Sequence, residues 1–341
     1  MLRYSRKTLR TRKPGVVGCH NGGFAGSRTG IFFFPKGLQA EEGPIQRESP
    51  RERFFVPGFR LLVCFAHPDD EAFPVGGALA AHAARGVDIR LITATLGEEG
   101  EIRQEGAATR ETLASVRRQE LACSVRTLGL SGNQVLGYRD SGMPGTPSNQ
   151  HPNAFINAEA AEVVEGFVAE IRRFRPQVVL TFEPGGLSGH PDHIAVSRHA
   201  TEAFRLASDP QAFPLQLTGG LQSHGADRLF HATRPKGFRT QWALKLRDAG
   251  LDVPLPPPEQ AEQGSPPEEI HLELDVAGHL ETKMASILCH RTQTGPDWPY
   301  NRVPREVSAG ILGKEHYIRA FPSVQREEKV DADFFLGLDP G

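Results

Sequence analysis

Two short stretches carry the residue types that can do chemistry together. The first is Ala66-His67-Pro68-Asp69-Asp70-Glu71. A His followed three residues later by an Asp can supply one nitrogen and one oxygen to a single zinc ion. Asp69 sits between them and cannot easily point the same way as Asp70, which leaves it free to act as a base beside the metal. The second stretch is His190-Pro191-Asp192-His193, reached through the Gly-rich run Gly185-Gly186-Leu187-Ser188-Gly189. Its two histidines are three apart, so on a helical first turn they share one face. One can ligate a metal while the other faces a substrate. Each stretch also has an ordinary reading. His67 to Glu71 could be a helix start with Pro in the first turn and acids at its positive end. A lone His is usually a cap or surface residue. Two such motifs in one chain weaken the ordinary reading.

The elements around these motifs place both at strand ends. Leu61 to Ala66 is a continuous apolar run, as expected of a strand buried on both faces. Gly77 to Arg85 reads as a helix ended by Gly86, and Val87 to Leu96 as a second strand. Thr109 to Leu128 has helical spacing up to Gly129. Val135 to Tyr138 reads as a short strand, and Ala158 to Phe174 as a helix stopped before Pro176. Val178 to Phe182 is another buried strand, and Ile194 to Ala207 is helical. The alternation predicts an α/β fold: a Rossmann-like, mostly parallel sheet with helices on both faces. Such sheets bind ligands beyond the C-terminal ends of their strands, at the point where the strand order reverses. If the first strand is central, both motifs meet there.

After residue 208 the pattern loosens. Arg228 to Ala232 and Ile270 to Leu274 suit strands; Gln241 to Ala249 and Ala277 to His290 suit helices. Six prolines between Pro254 and Pro267 mark an insertion near 252–268. The division expected is an N-terminal extension without regular structure over 1–58, one domain over 59–325, and a C-terminal tail over 326–341.

Together, Ala66-His67-Pro68-Asp69-Asp70-Glu71 and Gly189-His190-Pro191-Asp192-His193 resemble the LmbE-like/PIG-L family of zinc-dependent N-acetylglucosaminyl deacetylases. Thr95-Leu96-Gly97-Glu98-Glu99-Gly100-Glu101 and Tyr138-Arg139-Asp140-Ser141-Gly142-Met143 are similar to segments of the bacterial branch that includes mycothiol-pathway deacetylases. His290-Arg291-Thr292-Gln293 resembles a late family segment. The resemblance implies one Zn2+ per chain, held by His67, Asp70 and His193, with another divalent metal as the alternative. Three protein ligands leave a position for water, whose pKa zinc lowers from ~15.7 toward ~7. It implies Asp69 as general base and His190, protonated, as partner of the developing oxyanion. Asp192, by adjacency, would orient His190. Arg117, Asp140 and, with less support, Glu101 match positions that contact the sugar. The ordinary reading of Arg117 is a helix-surface ion pair with Glu120 or Glu111. The chain departs from the mycothiol branch at Ser188, where those relatives carry Tyr, so a Tyr-assisted step is in doubt.

Composition narrows the field. Residues 1–40 hold eight Lys/Arg and no acid, which leaves 31 basic against 41 acidic side chains in the rest, a net of −10. An acidic body argues against nucleic acid as partner; a small sugar conjugate is expected. No stretch approaches the ~18 apolar residues of a membrane span. The four cysteines are widely spaced, so no disulfide framework is implied and a reducing cytoplasm is expected. Homo-oligomerisation is left open. The competing readings are an amidase cleaving a thiol conjugate and a non-catalytic, metal-dependent carbohydrate-binding protein. A dinucleotide enzyme lacks its Gly-x-Gly-x-x-Gly. A two-metal phosphoesterase needs more ligands than these motifs supply.

Overall fold

A computed structural model describes residues 58–325 and 332–340. The expected N-terminal extension lies, Gly58 apart, outside the described residues. Seven strands form one sheet: β1 (Arg60–Phe65), β2 (Asp88–Thr93), β3 (Gly132–Val135), β4 (Val178–Phe182), β5 (Arg228–Thr233), β6 (Leu272–Asp275) and β7 (Lys314–Phe321). Their spatial order is β3-β2-β1-β4-β5-β7-β6. The first five are parallel, whereas β7 runs antiparallel to both β5 and β6. The chain winds outward from β1 to β3, then returns to β4 on the other side of β1. The order therefore reverses between β1 and β4, as the sequence predicts.

Helices α1 (Gly76–Ala84), α2 (Leu113–Leu128), α3 (Ala160–Phe174), α4 (Pro191–Leu206), α5 (Phe238–Asp248), α6 (Leu280–Cys289) and α7 (Arg305–Leu312) surround the sheet. α1 and α2 pack with α6, and α3 packs with α4. The right-handed crossover rule puts these two groups on opposite faces. β1 and β4 are buried along almost their whole length, which explains their unbroken apolar runs.

Three features differ from the sequence reading. The strand expected over Val135 to Tyr138 is Gly132–Val135. It is an edge strand of half-exposed polar residues, so no apolar run marks it. β7 carries no alternation of apolar residues, because one of its two buried positions is Glu315 and the other Tyr317. The Glu315 carboxylate accepts from the Gly77 and Ala78 amides at 2.8 and 2.9 Å, from Lys283 Nζ at 2.7 Å and from the Tyr317 hydroxyl at 2.8 Å. It thereby satisfies the free amides that begin α1. Lastly, the described part of the C-terminal tail is core: Phe334 and Phe335 are buried, Phe334 stacks on His82, and Asp333 pairs with His82 and Arg85.

The cysteines require a correction. Cys123 on α2 and Cys289 on α6 form a disulfide, Cα atoms 5.7 Å apart, across 166 residues. Spacing alone could not reveal it, since only the packing of α2 on α6 brings the pair together. Cys64 is buried in β1 as a small apolar residue, and burial pushes its thiol pKa up. Replacing both Cys123 and Cys289 by Ser should lower unfolding stability by about 2–4 kcal/mol, because the bond closes a long loop. Urea denaturation measures this, and thiol titration of the denatured, unreduced protein should find the pair blocked.

Candidate active site

The β1 end delivers His67, and the β4 end delivers a short helical turn over Gly186–Gly189 followed by α4. Their adjacency brings His67 Nδ1 to 3.0 Å from His193 Nε2. Asp70 Oδ1 lies 3.3 Å from the same His193 nitrogen, and Asp70 Oδ2 lies 3.8 Å from His67 Nδ1. Tetrahedral ligands at zinc bond lengths lie about 3.3 Å from one another. The measured separations are of that order, with each Asp70 oxygen approaching a different imidazole.

Each of the three is held from behind. His193 Nδ1 faces the Gly186 carbonyl at 3.0 Å, which leaves Nε2 for the site. A Cβ on Gly186 would stand 2.7 Å from that of His193, so the turn needs glycine there, at φ +68°. Asp70 Oδ2 accepts from the Ala66 and His67 amides at 3.1 and 2.8 Å, which directs Oδ1 inward. His67 Nε2 faces Asp192 Oδ2 at 3.1 Å. A carboxylate behind a ligating imidazole orients the ring and raises its basicity.

That contact adds a second partner to the one expected for Asp192. Its carboxylate serves His67 and accepts from the Ser141 amide at 2.9 Å, while its other oxygen is buried without a partner. Toward His190 its backbone amide donates to Nδ1 at 3.2 Å, and its charge favours the protonated ring. His190, expected to be protonated, is pulled both ways. Burial first, then the neighbouring His67 and His193, push its pKa down to about 4, against the upward pull of Asp140 and Asp192. With Nδ1 accepting, a neutral ring carries its proton on Nε2.

Asp69 occupies a strained turn at φ +111°. Its amide donates to Glu71 Oε2 at 3.0 Å, and Glu71 Oε1 accepts from His290 Nε2 at 2.7 Å. Both Glu71 and His290 are fully buried. Arg117 clamps the turn from the other side, donating to the Pro68 carbonyl, the Gly97 carbonyl at 3.0 Å and Asp69 Oδ2 at 2.9 Å. A Cβ on Gly97 would lie 1.8 Å from the guanidinium, so only glycine admits it. Burial raises the Asp69 pKa and Arg117 opposes it; with the Asp70 charge added, it stands at about 6.

The residues expected to touch the sugar fare differently. Arg117 is 3% exposed and lies behind the motif turn; its ion pair is with Asp69, not with Glu120 or Glu111. Asp140 joins the cluster, with Oδ1 3.5 Å from His67 Nε2 and 3.8 Å from His190 Nε2. Glu101 does not: its side chain is 73% exposed and pairs with Arg103. Glu98 and Glu99 reach the loop instead, accepting from the Asp140 amide and from Arg139. Glu71 and His290 were missed as functional residues. Both lie in the family-like stretches, and nothing in their spacing shows that they pair.

Three imidazoles and three carboxylates thus converge in one cluster; His67, His190 and His193 form one group with metal-ligand spacing and His67, Asp140, His190 and Asp192 another, while Asp70 falls in neither. Residues 62–204 match the PIG-L family, described as GlcNAc-PI de-N-acetylase. A 1D-myo-inositol 2-acetamido-2-deoxy-alpha-D-glucopyranoside deacetylase of Saccharomonospora viridis is 36% identical, over 82% of this chain and 100% of the relative. Among solved structures, the N,N'-diacetylchitobiose deacetylase of Pyrococcus horikoshii superposes with a TM-score of 0.54 at 20% identity, covering 76% of this chain and 83% of that one. A 4-carboxy-2-hydroxymuconate hydratase of Pseudomonas putida does so with 0.53 at 21%, covering 79% and 98%. The same fold carries two named reactions, so the fold alone does not select the chemistry. Full-length similarity at that identity, with both His-Pro-Asp motifs assembled at one switch point, makes this chain a member of the PIG-L, or LmbE-like, family of de-N-acetylases.

Proposed function

We propose that the protein is a zinc-dependent hydrolase that removes the acetyl group from the amine of a small N-acetylglucosamine conjugate. The observation that carries this is the approach of His67 Nδ1, His193 Nε2 and the Asp70 carboxylate to one another, with Asp69 next in the chain on a turn of its own at φ +111°. The inositol conjugate named for the relatives is the first substrate to try. We infer cytoplasmic residence from the few, scattered cysteines; the Cys123–Cys289 bond is the observation that weighs against it.

His67, Asp70 and His193 would hold the zinc, which supplies a Lewis acid for the amide carbonyl and water acidic enough to ionise near neutral pH. Asp69 accepts the proton of the attacking water. A carboxylate with a pKa of about 6 is ionised at pH 7 yet more basic than an ordinary one. His190 Nε2–H donates to the carbonyl oxygen as its charge develops, a role a neutral imidazole can fill. The Asp192 amide, donating to Nδ1, orients the ring. Asp69 then returns its proton to the leaving amine, so Ser188 need not stand in for the Tyr of the mycothiol branch. Arg117, Glu71 and His290 keep Asp69 in place.

Metal-loaded protein should release acetate from a panel of N-acetylglucosamine conjugates, the inositol conjugate included. Asp69→Asn should lower kcat by about 10²–10⁴-fold with unchanged metal content. Undiminished turnover would remove Asp69 from the role of base. Sugar binding without acetate from any conjugate would instead favour a non-catalytic binding protein, and release of a larger acyl group an amidase. The acid limb of kcat/KM should fall near pH 6, where Asp69 becomes protonated. Arg117 stabilises the Asp69 anion, so Arg117→Met should move that limb to higher pH; a limb that stays or moves lower contradicts the clamp. Asp192→Asn should weaken metal binding by about 10–100-fold through His67, as read by titration with a competing chelator.

A further inference from the structure

A cavity of about 690 Å³ is lined by residues none of which belongs to the metal-ligand cluster. Phe73 and Pro74 line it, just beyond Asp70 in the chain, and Arg234 enters it directly after β5, at the sheet edge that carries His67 and His190. The cavity volume falls within the range for pockets that enclose a small organic molecule.

Two properties of the lining select a ligand. One is unbalanced charge. Arg234 and Arg239 flank Phe238, and among the described residues neither has a carboxylate within ion-pair distance. Arg234 lies over the Phe238 ring at 5.6 Å, and Arg239 donates to the neutral Gln260 at 2.8 Å. Burial, then the Arg239 charge, lower the Arg234 pKa, the mark of a cation without enough compensation. The acid in the wall, Glu315, is already saturated by Lys283, Tyr317 and the start of α1. The other property is aromatic surface. Trp298 packs against Phe73 and Tyr300, with ring centroids 6.2 and 4.8 Å apart, and Trp242 donates to the Tyr300 hydroxyl. Arginine forks match carboxylate and phosphate geometry, and aromatic walls favour stacked rings.

We propose that this cavity binds an aromatic ring bearing a carboxylate or phosphate, the anion held by Arg234 and Arg239 and the ring among Phe73, Trp242 and Trp298. On the deacetylase reading, on which this second step rests, the cavity receives the part of the conjugate beyond the sugar. The substrate is then an N-acetylglucosamine carrying an anionic aryl group.

The protein has its own reporter, since its two tryptophans, Trp242 and Trp298, both line this cavity. Tryptophan emission of the metal-loaded protein should change saturably with phenyl phosphate or benzoate, whichever anion fits better. Phenol and inorganic phosphate should bind at least about tenfold more weakly, the scale of one charge-assisted hydrogen bond. Arg234→Gln should abolish that preference, and so should Arg239→Gln if the first variant fails to fold. No saturable response, phenol binding as tightly as both anions, or variants that bind as the parent would each overturn the proposal. Turnover then separates the two steps. A 4-carboxyphenyl N-acetylglucosaminide should show a KM at least about tenfold below that of the phenyl glycoside, with kcat alike and the difference lost in Arg234→Gln. Equal KM values despite anion binding would overturn the substrate assignment. No turnover of either glycoside, with anion binding intact, would overturn the deacetylase reading and leave the cavity's ligand as stated.

Discussion

His67 and His193 stand 126 residues apart in the chain and 3.0 Å apart in space because β1 and β4 are hydrogen-bonded neighbours. That pairing, Leu61 opposite Val178 through Val63 opposite Leu180, is the constraint on which the site depends. Parallel register brings both strands to end at the same level. The turn after each then delivers its His-Pro-Asp motif to one crevice. A strand inserted between β1 and β4 would separate the ligands by about 5 Å, the spacing of one strand. The continuous burial of both strands protects this arrangement, since neither can slip without exposing apolar surface or breaking the ladder.

The second requirement is to hold a charge-rich cluster in a buried place. His67 is held above the ordinary histidine range: burial opposes its cation, but Asp140, Asp192 and Asp70 outweigh burial. Asp70 is held below the carboxylate range, where His193 and His67 outweigh the same penalty. An environment of that kind suits a divalent cation, with each ligand backed by a further hydrogen bond. The Asp69 turn adds strain of about 1–3 kcal/mol, as a non-glycine residue at positive φ does. Arg117 and the Glu71–His290 pair offset it from opposite sides. Strain held this way fixes Asp69 next to Asp70 on a turn of its own.

The region beyond β5 does different work. β7 completes the sheet, and through Glu315 it caps α1, the helix that follows the first motif. The Pro-rich segment contributes Pro254 to Pro257 to the wall of the aromatic cavity. Residues that make the reaction and residues that face that cavity are thus carried by separate parts of one sheet. The cavity can vary in shape and charge while the metal-ligand cluster stays as it is.

The reaction class was legible in the chain because its chemistry is local. His67 with Asp70, and His190 with His193, are set by spacings of three residues at the ends of strands whose apolar runs announce them. The parallel sheet was legible for the same reason, since period and burial are written into consecutive residues. What crosses the fold was not. Asp192 backs His67 as well as its neighbour His190, and Arg117 clamps Asp69. Glu101 turns outward, and Cys123 bonds Cys289. β7 was hidden because its inward residue is a charge whose partners lie on other elements. Each of these depends on side chains from distant segments meeting in a shared buried space, where desolvation makes a partner obligatory and only packing decides which one it is.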